Sequence, residues 1–340
     1  MTYRDELRAW LAWQAIPSRG ASFDDLRAWN AVLFDAGYAA PSWPARFGGR
    51  DAGFDDQLAH VEEMSRAGAP GPVNAIGVAN IAPALMAVGT EEQQERFLRP
   101  LLRGDEIWSQ GMSEPDAGSD LASLRCAAVA DGDDFVVDGQ KTWNSNGHFA
   151  DWCQLYVRTD ATLKKHQGIT CLLVDLTLPG IEARPIRTMA GDSSFAELFF
   201  TGVRVPRSAV LGAVGEGWAV ATRTLSNERA GVASLYLGQQ RTLAGLRSDD
   251  PVVRQSIARS HAEVKTLELL ARRTMAAKQP GPEGSVIKLA WSQYGQRLAE
   301  LTGDDEALLS SRQLTIAGGT TEVNKNIVAE RVLGLPRDPS

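Results

Sequence analysis

Four groups in this sequence combine reactive residue types with a spacing that could bring them to bear on a substrate. Glu228 lies three residues after Leu225, four before Val232 and seven before Leu235, inside the apolar stripe of a helical pattern. A carboxylate on the buried face of a helix is costly unless it is paired or kept for use. Desolvation raises its pKa, as a general base working near neutrality needs. A structural ion pair, for instance to Arg223, would place it there equally well. The loop Gly111-Met112-Ser113-Glu114-Pro115-Asp116-Ala117-Gly118-Ser119-Asp120 lies between two hydrophobic runs and crowds N–H groups and hydroxyls into a tight turn. That suits a phosphate, a ring of hydrogen-bonding heteroatoms or a carboxylate, or simply a domain boundary.

In Lys141-Thr142-Trp143-Asn144-Ser145-Asn146-Gly147 an indole is followed two residues later by a hydroxyl. On a strand both lie on one face, where they can stack on a planar ring and bond its edge; Trp143 as plain core is the alternative. In Ala317-Gly318-Gly319-Thr320-Thr321-Glu322 adjacent glycines precede a helix. They let an anion or carbonyl approach the backbone closely, or they form a flexible capping turn.

The elements that must position these groups follow from hydrophobic periodicity. Residues 3 to about 105 read as helices, with a capping-box pattern at Thr90-Glu91-Glu92-Gln93 and a stop at Gly104. The rigid loop carrying Trp43 and Phe47 is expected to pack on the core, and the small residues of Asn74–Ala84 allow a helix that lines a cavity. From Ile107 the period changes to two. Strands are expected over 107–112, 123–130, 134–138, 152–158, 169–175 and 196–205, with hairpins at Asp131-Gly132-Asp133-Asp134 and Asp138-Gly139. Such strands make a small antiparallel barrel or sandwich. Trp218 to Leu246 reads as one long helix, Asp250-Pro251 opens a second, Gln279–Gly284 ends it, and Ile287 to Leu301 forms a third stopped by Gly303. The expected architecture is α+β and multi-domain: an N-terminal helical domain over 1–105, a middle β domain over 106–212 and a C-terminal helical bundle over 213–340.

The 340 residues are 44% hydrophobic and 23% charged, ordinary for a soluble globular protein. A net charge of −7 without a basic run argues against nucleic acid and anionic membranes as partners. Met1–Glu6 carries early acids and no apolar segment, so neither a signal peptide nor a membrane span is expected, and the cytoplasm is the expected compartment. Cys126, Cys153 and Cys171 lack metal-like spacing and read as buried free thiols, and the four histidines are too scattered to suggest a metal site.

Taken in order, the helices, GMSEPDAGSD, a β region holding KTWNSNG, a bundle and a GGTTE turn before a helix ending in Val332-Leu333-Gly334-Leu335-Pro336-Arg337 resemble the acyl-CoA dehydrogenase family. The resemblance covers nearly the whole chain and implies FAD-dependent α,β-dehydrogenation of an acyl-CoA thioester. In that reaction a carboxylate removes the α-proton, the β-hydrogen leaves as hydride to the flavin, and electrons pass to an electron-transferring flavoprotein. By the same resemblance Ser113 bonds the flavin, Trp143 and Ser145 lie beside its ring, and Thr320 lies near its ADP moiety. Ser119 touches the CoA arm.

Many family members carry the catalytic Glu directly before the Gly-Thr of the terminal turn, where this chain has Gly318. Branches resembling the isovaleryl and long-chain enzymes place it on the long bundle helix in a Glu-Arg pair. Glu228-Arg229 matches that pair, making Glu228 the base and Arg229 a substrate-binding residue, while the Gly318 N–H helps polarise the thioester carbonyl. The family's Arg-x-x-Phe and Gln-x-x-Gly-Gly elements, which hold the FAD of a neighbouring subunit, have no counterpart at Val252–Ile257 or in the short segment after Leu301. This layout is similar to actinobacterial members, including those acting on steroid side chains, some of which assemble as α2β2 complexes. Two alternatives accompany this expectation: a partner subunit that does no chemistry, and an acyl-CoA oxidase-like or nitroalkane-oxidase-like flavoenzyme.

Overall fold

The computed structural model describes the chain except residues 19, 232–234, 277–280 and 338–340, and except the side chains of 229–231 and 275. It divides into two compact units, one formed by Met1–Thr188 with Asp192–Thr224 and the other by Met189–Gly191 with Leu225–Ser340.

The first unit begins with helices α1 (Tyr3–Leu11), α2 (Phe23–Asp35) and α3 (Phe54–Ala67), a π-helical turn over Gly77–Ile81, then α4 (Ala82–Val88) and α5 (Glu91–Arg103). Thr2, Ser22 and Thr90 each close a capping box, and Gly104 ends α5 in the left-handed region, as their residue types require. Trp43 and Phe47 are buried, as expected. Glu63 of α3 is buried and meets Arg4, Arg8 and Arg66 within 3.0 Å, which ties α1 to α3. Asn74 carries the helices into the sheet: its Nδ2 donates to Leu101 O and Glu106 O, and its Oδ1 accepts from Trp108 N.

Seven strands follow in one sheet: β1 (Trp108–Gly111), β2 (Ala127–Asp131), β3 (Asp134–Ser145), β4 (Trp152–Arg158), β5 (Ile169–Asp175), β6 (Ile181–Ile186) and β7 (Phe195–Pro206). The pairings are antiparallel apart from β1–β4 and β2–β4, which are parallel. Cys126, Val137, Leu155, Leu172, Leu198 and Val203 anchor the buried side of the sheet. The hairpin at Gly132 is present.

The hairpin expected at Asp138-Gly139 is absent, because β3 runs straight through it. Gly139 instead marks a register shift against β7, with φ +148° and space so tight that a Cβ would stand 2.7 Å from Cys126 Cα. Strand β6 was not expected. It pairs only with β7, contains Pro185 and buries no residue fully, so it lacks the alternation that betrays a strand. All three cysteines are buried free thiols, and burial pushes Cys126 up to about 11 and Cys153 to about 12.

Helix α6 (Gly217–Gly231) leads into α7 (Tyr236–Gly245), α8 (Pro251–Met275), α9 (Gly284–Thr302), α10 (Asp305–Ser311) and α11 (Thr321–Ile327). The second unit packs Tyr236, Leu243, Val264, Leu267, Ile287, Tyr294 and Leu298 together. Asp250 caps α8 by accepting from Val252 N and Val253 N, and Gly303 stops α9 at φ +66°, both as the sequence predicts. The single long helix expected over 218–246 is instead α6 and α7. Val232 lies outside the described residues, and Leu235 is a turn residue 47% exposed rather than a member of the buried stripe. The expected loop at Gln279–Gly284 lies partly outside the described residues. Among the described residues, no helix is long and apolar enough to cross a membrane.

Candidate active site

In the first unit, which carries Ser113, Ser119, Trp143 and Ser145, the segment around Ser113 is pinned by a buried ion pair. Lys141 on β3 is fully buried, and its Nζ donates to Glu114 Oε1 at 2.8 Å and to Met112 O at 3.1 Å. Glu114 also accepts from Arg125 N at 2.6 Å and Cys126 N at 2.8 Å. A buried charge pair needs such saturation. It pins the residues on both sides of Ser113, and Ser113 O in turn accepts from Thr142 N at 2.9 Å. Glu114 and Ala117 exchange two backbone hydrogen bonds in a tight turn, after which Ser119 is exposed.

Trp143 does not follow the simple strand geometry expected of it. A bulge between Lys141 and Asn144 breaks the register with β7, and Trp143 sits there at φ +61°. Such a conformation costs a bulky residue about 1–2 kcal/mol, and strain of this kind collects at ligand-binding positions. The indole is 59% exposed and makes an edge-to-face contact with Phe195 at 5.9 Å, so the reading of Trp143 as plain core is excluded. Asn144 is buried and donates to Gln110 O at 2.6 Å, which holds the bulge down, while Ser145 beyond it is half-buried.

In the second unit the structure brings Glu228 and Gly318 together. Gly318 and Gly319 lie in the left-handed region at φ +67° and +92°, and a Cβ on Gly318 would stand 2.9 Å from Glu228 Oε1. Glu228 is half-buried rather than a core residue. Gly319 O accepts from Lys288 Nζ at 2.6 Å and from Asn324 Nδ2 at 2.8 Å. Thr320 caps α11 by accepting from Val323 N at 3.2 Å. The Arg229 side chain lies outside the described residues.

Residues 3–105, 109–203 and 215–304 match the family models for the N-terminal, middle and C-terminal domains of acyl-CoA dehydrogenases. The chain belongs to the acyl-CoA dehydrogenase family. This acyl-CoA dehydrogenase is 38% identical to the acyl-CoA dehydrogenase IpdE1 of Mycolicibacterium smegmatis, across 99% of this chain and 98% of that one. It is 41% identical to the acyl-CoA dehydrogenase FadE34 of Mycobacterium tuberculosis, across 91% of this chain and 46% of that protein. Among solved structures, the ChsE4–ChsE5 complex from Mycobacterium tuberculosis superimposes with a TM-score of 0.85 at 32% identity, covering 99% of this chain and 97% of that one. The Tcur3481–Tcur3483 steroid ACAD gives 0.85 at 30% identity, covering 98% and 97%. Membership makes the protein an oxidoreductase of a flavoprotein family.

A flavin fits the residues present: an exposed indole held by strained backbone offers a face to a planar ring, with the half-buried Ser113 and Ser145 in the same unit. Lys141, Glu114, Lys288 and Asn324 were not singled out from the sequence. Lys288 could have been, since it is a lone cation in Ser285-Val286-Ile287-Lys288-Leu289-Ala290-Trp291, the same anomaly that drew attention to Glu228.

Proposed function

We propose that the enzyme removes the α-proton of an acyl-CoA thioester with Glu228 and converts the thioester to the trans-2-enoyl-CoA. The observation that carries this reading is the pairing of Glu228 with a turn that has no side chain. With Gly at 318, a carboxylate from α6 occupies the space where a turn residue would stand. The Gly318 N–H remains available to polarise the thioester carbonyl, which acidifies the α-carbon. Proton transfer to a positioned carboxylate contributes about 10²–10⁴-fold.

FAD is the expected form of the flavin; when bound, it accepts the β-hydrogen with its electron pair. Trp143 supplies a stacking face for the ring, Ser113 and Ser145 bond its edge, and Thr320 serves the ADP moiety. Ser119 and Arg229 bind the CoA substrate, and an electron-transferring flavoprotein takes the electrons. The substrate class we favour is a bulky, steroid-type acyl-CoA. Support comes from the steroid ACAD among the similar structures. The paired names of both structural relatives support a heteromer, in which a second chain of the same family completes the FAD site.

The test is to purify the chain alone and co-expressed with a second acyl-CoA dehydrogenase chain from its genome, and to add a panel of acyl-CoAs without oxygen. A yellow protein that bleaches with a steroid-type acyl-CoA is the expected result. A protein that never binds flavin in either preparation contradicts the proposal, and oxygen uptake coupled to turnover points to an oxidase.

A further inference from the structure

We infer that Lys288 is a positioning residue for this site, tying down the Gly318–Gly319 turn through the Gly319 carbonyl and standing as a cationic neighbour of Glu228. The inference rests on the reading of Glu228 as the base.

Three observations carry it. Lys288 is 2% exposed, an unusual place for an ammonium group, which stays there only with polar company. Its Nζ donates to Gly319 O at 2.6 Å, a short charge-assisted bond that Asn324 Nδ2 reinforces at 2.8 Å. Finally, Lys288 Cε and Glu228 Oε1 both lie within 4 Å of one point, the position of a Cβ on Gly318. The cation, the base and the backbone of the turn therefore share one small volume.

The charged groups acting on Lys288 are Glu228 from α6 and Glu322 from α11. Burial lowers the pKa of the lysine, and both carboxylates raise it. Coupling of this kind is reciprocal, so the ammonium favours the ionised Glu228 by the same amount. Two consecutive glycines are the least constrained backbone a protein can place beside a reacting group. The bond to Gly319 O removes that freedom and fixes where the Gly318 N–H points.

A lysine that merely pinned α11 to α9 would hold the turn without altering the titration of Glu228. The discriminating measurement is the carboxylic-acid C=O stretch of Glu228, followed against pH by infrared difference spectroscopy and identified by its loss in Glu228→Gln. Lys288→Met is expected to raise the Glu228 midpoint by about one pH unit, since two charges within several ångströms at a protein interior couple at least that strongly. Lys288→Arg should return it most of the way.

If Lys288→Met does not fold, the coupling is read from the other side. The isosteric Glu228→Gln should lower the titration midpoint of the Lys288 ammonium, followed by lysine-selective NMR, by about the same pH interval. An unmoved midpoint in either experiment overturns the inference. These titrations need neither substrate nor turnover. A Glu228→Gln enzyme that kept its full rate of flavin reduction would sink the assignment of the base while leaving the measured coupling in place.

Discussion

A Cβ placed on Gly318 would stand 2.9 Å from Glu228 Oε1, a distance that real side chains essentially never adopt. Carboxylate and turn are therefore complementary, and a side chain at 318 would shift the carboxylate from this position. Gly318→Ala tests this directly. The variant bears both the strain of an L-residue at φ +67°, about 1–2 kcal/mol, and displacement of the carboxylate. Flavin reduction should slow by ~10–10²-fold, because misplacement of a reacting group by a fraction of an ångström is costly. Thermal unfolding should show the protein still folded.

Trp143 is exposed and strained, so its removal should weaken cofactor binding more than folding. Trp143→Leu is expected to lower flavin affinity roughly two- to tenfold, the worth of an aromatic stacking contact. The melting temperature of the flavin-free protein should stay within a few degrees. Flavin retention after gel filtration and the apoprotein melting curve separate the two effects.

Lys141 and Glu114 lie at the other extreme, where structure comes first. Lys141→Met leaves the buried Glu114 carboxylate with two backbone N–H partners but no countercharge and should cost about 3–5 kcal/mol in denaturant unfolding. Adding Glu114→Gln removes the stranded charge and should recover much of that loss. If the single variant proves as stable as the parent, the ion pair does not organise the Ser113 loop.

His60 on α3 gives a pH prediction. Burial holds it down to about 4 from its usual 6.5, and its Nδ1 lies 3.0 Å from Tyr3 Oη. The unfolded chain takes a proton below pH 6.5 that the folded one declines until about 4. Its contribution is thus complete above pH 6.5 and lost as pH falls toward 4, with a slope of at most ~1.4 kcal/mol per pH unit. Denaturant midpoints at pH 7, 6 and 5 should decline more steeply for the parent than for His60→Gln.

How much of this was legible in the sequence differs from element to element. Periodicity and capping residues located both ends of α5, the start of α8 and the end of α9 to within a residue or two, because Thr90, Gly104, Asp250 and Gly303 each have one chemically obvious job. β1, β4, β5 and β7 coincide closely with the expected runs, β2 begins at Ala127 rather than at 123, and β3 begins where expected but runs on through Gly139 to Ser145. Strand β6 escaped because an edge strand bearing Pro185 has no buried face to alternate against. The Asp138-Gly139 pair read as a hairpin because a bulge and a turn demand the same glycine. Glu228 was found through a local anomaly, a charge in an apolar stripe. Its relation to Gly318, ninety residues away, was legible only through the family resemblance, and the folded bundle sets the distance. Lys141 is ordinary in sequence and acquires its role only from Met112 O and the Glu114 carboxylate, contributed by a distant segment.

The central claim is that Glu228 is the base. Its most direct test is the anaerobic single-turnover rate of flavin reduction by an acyl-CoA, compared between the parent enzyme and Glu228→Gln with flavin occupancy matched by absorbance. Retained flavin and a rate lower by at least ~10²-fold, the lower range for loss of a general base, are the expected result. A Glu228→Gln enzyme that bleaches at the parent's rate contradicts the claim.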